Sequence, residues 1–80
     1  MNAQEIEFTN KCPAWARKLG VKTLNVWQII EYIMPYDKSE RYDYLDWEVE
    51  ERHLLTADEA VLAQKVLQAW DEMAPVHHDH

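Results

Sequence analysis

Eighty residues make one small domain, and a chain this short buries only about 60–65% of its unfolded surface, so its stability margin is thin. Its 48% hydrophobic and 11% aromatic content excludes a disordered chain, and one glycine excludes a nucleotide-binding loop and a turn-rich β fold. The net charge of −7 is unevenly spread: residues 8–30 hold Lys11, Arg17, Lys18 and Lys22 with no acid, while residues 31–80 hold thirteen acids against four bases.

No apolar run approaches the ~18 residues that a bilayer span needs. Met1–Thr9 carries two glutamates and no base, unlike a signal or transit peptide. The lone Cys12 has no partner for an internal disulfide and reads as a half-buried structural thiol in a reduced, cytoplasmic protein.

In chain order, residues 1–5 read as a frayed N-terminus. Pro13 suits the first turn of a helix that runs to Leu19, with Gly20 ending it. Thr23 then caps a second helix over Leu24–Met34, whose Val26, Ile29, Ile30 and Ile33 recur at helical spacing before Pro35 stops it. Residues 36–55 are ambiguous. Asp37 and Glu40 resemble a capping box, and Tyr42, Leu45 and Val49 share a helical face, yet Leu45, Trp47 and Val49 alternate like a strand. Helix is favoured, with a short strand left open within residues 42–50. Thr56-Ala-Asp-Glu59 is a capping box for the last helix, followed by Val61, Leu62, Val66, Leu67, Trp70 and Met73 at helical spacing. Pro75 lies beyond it, and residues 75–80 read as a mobile tail. The expected architecture is a mainly α, single-domain bundle of about four helices spanning residues 1–80.

Residues 12–31, CPAWARKLGVKTLNVWQIIE, hold a spacing with a packing logic. Ala16 is small where two helices would cross, and Leu19 follows three residues on. Gly20 supplies the turn, Val21 would plug it into the core, and Val26 and Ile29 would pack back on the first helix. This run resembles the helix-turn-helix of DNA-binding repressors and small phage regulators. The resemblance covers these twenty residues only. It implies that the second helix is a recognition helix with Lys22, Thr23, Leu24, Asn25, Trp27 and Gln28 facing outward. Asn25 and Gln28 would meet adenine edges, and Thr23 phosphate or base. Lys11, Arg17, Lys18 and Lys22 would neutralise phosphates.

Other clusters point elsewhere. Four tryptophans are dense for eighty residues. Trp15 and Trp70 sit at core spacing, whereas Trp27 and Trp47 could anchor a partner. Asp43, Asp46, Glu48, Glu50 and Glu51, interleaved with Tyr42, Tyr44 and Trp47, form an acidic aromatic run. His77, His78, Asp79 and His80 lack preorganised geometry for a metal site. No nucleophile–base or carboxylate pair is placed by a recognisable motif, so neither an enzyme nor a cofactor is expected.

Two functions remain. The first is a small helix-turn-helix transcription regulator of phage or mobile-element type. It would bind duplex DNA through Lys11, Arg17, Lys18, Lys22, Thr23, Asn25 and Gln28, and would be a homodimer through the C-terminal helix and Trp70. The second is a small acidic inhibitor or adaptor, similar in size and charge to phage anti-CRISPR proteins. It would bind a basic surface of a host protein through Trp27, Tyr42, Tyr44, Trp47, Asp43, Asp46 and Glu48.

Overall fold

The computed structural model describes residues 2–73. Those residues form five helices: α1 (Ala3–Lys11), α2 (Ala14–Leu19), α3 (Leu24–Ile33), α4 (Lys38–Glu50) and α5 (Ala57–Met73). The protein is a small, mainly α domain, with no strand among the described residues.

Of the residues read as a frayed end, Ala3–Glu5 lie in the first turn of α1. Asn2 caps α1, its side-chain oxygen accepting from the Glu5 N–H at 2.8 Å. Glu5 in the first turn and Lys11 in the last suit the helix dipole. Only Phe8 of α1 turns toward the core, and no residue of this helix is fully buried.

Pro13 sits one position earlier than expected, as the N-cap of α2. Gly20 ends α2 at φ +124°, a conformation that glycine adopts without a Cβ penalty. The Gly20 N–H donates to Arg17 O at 3.0 Å and the Val21 N–H to Ala16 O at 3.2 Å. That pairing is a Schellman motif, which satisfies two carbonyls the helix end leaves open. Ala16 and Val21 are buried as the spacing requires, but Leu19 is exposed rather than packed in the corner.

Thr23 caps α3, accepting from the Val26 N–H at 3.3 Å. Its buried stripe is Val26, Trp27, Ile30 and Ile33, with Ile29 only half-buried. Three of the four expected residues are kept, and replacing Ile29 by Trp27 turns the stripe by roughly 40°. Trp27 faces inward at 4% exposure, and its ring stands edge-on to Trp15 at 6.1 Å.

Residues 38–50 are helical throughout, which closes the strand alternative. The Asp37 side chain makes no capping hydrogen bond, so the box expected there does not form. At α5 the box does form: the Thr56 N–H donates to Glu59 Oε1 at 2.9 Å and the Glu59 N–H to Thr56 Oγ1 at 3.1 Å. The buried stripe of α5 is Ala60, Ala63, Val66 and Leu67, while Val61 and Met73 face outward. α5 packs against α2, α3 and α4, and α1 lies on α3. The small residues on α5 let the neighbouring backbones approach, and Leu62 Cδ1 lies 3.3 Å from where a Cβ on Gly20 would stand.

Candidate functional site

The outer face of α3 carries the residues assigned to DNA. Lys22, Thr23, Asn25 and Gln28 are exposed there. Lys22, Thr23 and Asn25 line a cleft of about 450 Å³ between α1 and the start of α3, and Glu5 and Glu7 line it too. The carboxylates therefore stand where a phosphate flanking this helix would pass. Lys11 is exposed and paired with Glu7 at 3.6 Å. Arg17 is half-buried, and its Nε meets no acceptor among the described residues. Lys18 is exposed and, like Lys11 and Arg17, lines no part of that cleft.

The outer face of α4 is different in kind. Tyr42 is 56% and Trp47 44% exposed, with Asp43 and Asp46 exposed between them; the two rings stand roughly 140° apart around the helix, Tyr42 beside α5 and Trp47 away from it. Glu40, Asp43, Tyr44 and Trp47 line a shallow cleft of about 370 Å³. Tyr44 is half-buried and leans on Tyr36 at 4.3 Å and Tyr32 at 6.3 Å between ring centroids. Two residues expected on this surface are not on it. Trp27 lies in the core because the α3 stripe is rotated, and Glu48 is 1% exposed because it shares the inner face of α4 with Leu45.

A third cavity joins the two faces. It measures about 360 Å³ and is lined by Asn25, Gln28, Ile29 and Tyr32 of α3, Glu48 of α4, and Arg52 and Leu54 of the following turn. Arg52 Nη1 donates to Glu48 Oε2 at 3.3 Å, while its guanidinium lies 5.1 Å from the Trp47 ring centroid. Glu48 Oε1 is buried with no hydrogen-bond partner among the described residues. Hydrogen bonding with Tyr36, the charge of Tyr36 and some desolvation push the Tyr32 phenol above its usual range, against a smaller opposing pull from Arg52 and with a last small push from Glu48. The turn that carries Arg52 and Leu54 is set by His53 at φ +56° and by the Leu54 N–H donating to Glu48 O at 2.9 Å.

Tyr32, Tyr36, Arg52 and Leu54 escaped the sequence reading, which takes Ile29 as core only. Tyr32 and Tyr36 stand four apart, a spacing that signals a shared face, but Pro35 between them hides it. Arg52 and Leu54 follow the end of α4 and gain their position from a turn that no glycine marks.

Cys12 is buried, and burial pushes its thiol up, with Arg17 pulling down and Glu31 adding to the rise. That is the reverse of an activated nucleophile. No group of three potential metal ligands occurs among the described residues, and the cluster at residues 77–80 lies outside them. Trp70, expected at a dimer surface, is half-buried and stacked on Trp15 at 6.2 Å. No described helix is long and apolar enough to cross a membrane.

Comparison with family models, with curated proteins and with solved structures finds no match for this chain.

Proposed function

We propose that this protein is a small acidic inhibitor or adaptor that binds a basic protein surface through the outer face of α4. The observation that carries this reading is the 44% exposure of Trp47, which lines one cleft with Glu40, Asp43 and Tyr44. A helix that served only the core would turn its large rings inward. Aromatic groups left in water beside carboxylates gain most from burial against a partner, and aromatic anchors dominate protein interfaces. The charge of −7 steers a cationic partner toward the chain and repels a polyanion. The role is non-catalytic, and the single buried thiol goes with a reducing, cytoplasmic setting.

One observation favours the second reading, a helix-turn-helix regulator of duplex DNA. With Trp27 turned inward, the outer face of α3 is left with Thr23, Asn25 and Gln28, polar groups suited to base edges. Glu5 and Glu7 beside Lys22, and the pairing of Lys11 with Glu7, weigh against it.

Two titrations separate them. A lysine-rich peptide should bind saturably, with Trp47→Ala costing about tenfold or more in affinity. Asp58→Asn, a charge change on exposed α5 surface, should cost far less. Equal losses from both variants would reduce the binding to bulk charge and overturn the α4 site. Binding of duplex DNA at low salt that is weakened by Lys22→Ala and Asn25→Ala would establish the regulator instead.

A further inference from the structure

We propose that the cavity between α3 and the end of α4 is a socket for a lysine side chain of the basic partner, its ammonium group drawn by the Glu48 carboxylate in the cavity wall; this rests on the protein-binding reading. Glu48 is the anchor of the argument. It is 1% exposed, its Oε2 accepts from Arg52, and its Oε1 accepts from nothing among the described residues. Buried carboxylate oxygens without a donor are rare, because the lost hydration is not replaced. The charge of that carboxylate, only half compensated by Arg52, favours a cation in the cavity whose wall it forms.

The cavity offers what an alkylammonium group needs. An ammonium has three donors and no acceptor, and Asn25 and Gln28, whose side-chain amides each carry an acceptor oxygen, line the space with Glu48. Tyr32 lines the same space, and an aromatic ring there suits a cation. Ile29 and Leu54 give the methylene stem an apolar wall. A guanidinium fits less well, since its parallel pair of donors calls for both carboxylate oxygens and Arg52 already holds one. An anion fits worst, because the one cation in the wall is engaged by Glu48 and the Trp47 ring.

The socket is continuous with the α4 face. Arg52 touches Trp47, and Tyr32 touches Tyr44. A partner segment crossing Trp47 and Tyr44 would bring a lysine to the cavity mouth. Arg52, exposed at that mouth, is the internal cation with which the incoming ammonium competes.

The test is an NMR titration of the whole chain. The probes are an acetylated peptide with one central lysine, the same peptide with arginine, and the same peptide with Nε-acetyl-lysine. The lysine peptide should shift the side-chain amide signals of Asn25 and Gln28 saturably, the arginine peptide should bind several-fold more weakly, and the acetylated one should not bind. Glu48→Gln should abolish the shifts. That change disturbs a buried ion pair, so Arg52→Ala provides an independent arm: with the competing cation gone, lysine-peptide affinity should rise several-fold. A fall in affinity in Arg52→Ala, or equal binding of all three peptides, would overturn the socket. Shifts confined to Asp43 and Trp47 would overturn the socket and leave the α4 docking face standing. A lysine-rich peptide that shifts no signal would remove the docking reading itself.

Discussion

Arg41 on α4 donates to Asp71 on α5 at 2.7 Å, and its other nitrogens donate to Tyr36 O at 2.9 Å and Met34 O at 2.7 Å. One guanidinium therefore joins three segments. It meets the chain just after α3, where carbonyls have no helical partner and the dipole favours a cation. The two side chains are 10% and 8% exposed, so this is a desolvated pair rather than a surface one. Arg41→Met would leave the Asp71 carboxylate without its guanidinium and two carbonyls without a donor. The expected loss is about 3–5 kcal/mol, against a total of roughly 4–12 kcal/mol for a domain of this size. Urea unfolding should show a large drop in midpoint, only partly recovered by Arg41→Lys, whose ammonium cannot span three acceptors. An unchanged midpoint would mean that the pair is not held in solution.

The α2–α3 corner makes a second prediction. Ala16 is fully buried beneath α2, so Ala16→Leu should cost about 1–3 kcal/mol through overpacking. Gly20→Ala should also destabilise, because φ +124° strains any side chain and a Cβ there would press on Leu62. Thermal melts of both variants should fall below the parent, and a neutral Gly20→Ala would contradict the positive φ.

Cys12 should resist thiol reagents. Its thiol is held above the usual range chiefly by burial, so at pH 8 it carries less thiolate than a free cysteine. Reaction with an aromatic disulfide reagent should therefore be slow in buffer and fast in urea. The sign of the linkage follows. The folded chain holds this proton more tightly than the unfolded one, so the contribution is intact below the unfolded thiol range and lost as pH rises past it. Stability that rose through that range would contradict the shift.

His53 occupies the left-handed region at φ +56°, where a β-carbon is disfavoured. His53→Gly should raise stability by up to about 1 kcal/mol if relief of that strain exceeds the extra freedom glycine brings to the unfolded chain. A lower melting temperature would show that the side chain holds the turn.

The elements with local signals were legible. The reciprocal Thr56–Glu59 cap and the Gly20 stop depend on neighbours in sequence, so residue type and spacing suffice to find them. The first helix carried a signal as well: Asn2 and Glu5 stand at capping distance, outweighed by the expectation that chain ends fray. α4 was harder because its inner stripe is Arg41, Leu45 and Glu48, two of them charged. A search for apolar periodicity sees only Leu45 and is drawn instead to the outward Tyr42 and Trp47. The candidate site was half visible for the same reason. Its exposed acids and rings could be named from sequence, but the burial of Glu48 and the arrival of Arg52 depend on how α4 is rotated and how the following turn is made.

The shallow seating of α1 divides the molecule by cooperativity. This helix rests on α3 through Phe8 and buries none of its residues fully, while α2–α5 share the core. Its amides are expected to exchange with solvent faster than those of α3 and α5, a difference that hydrogen exchange would measure. The same helix brings Glu5 and Glu7 to the cleft that Lys22 and Asn25 line, so the charge presented by the start of α3 is mixed only while α1 is seated.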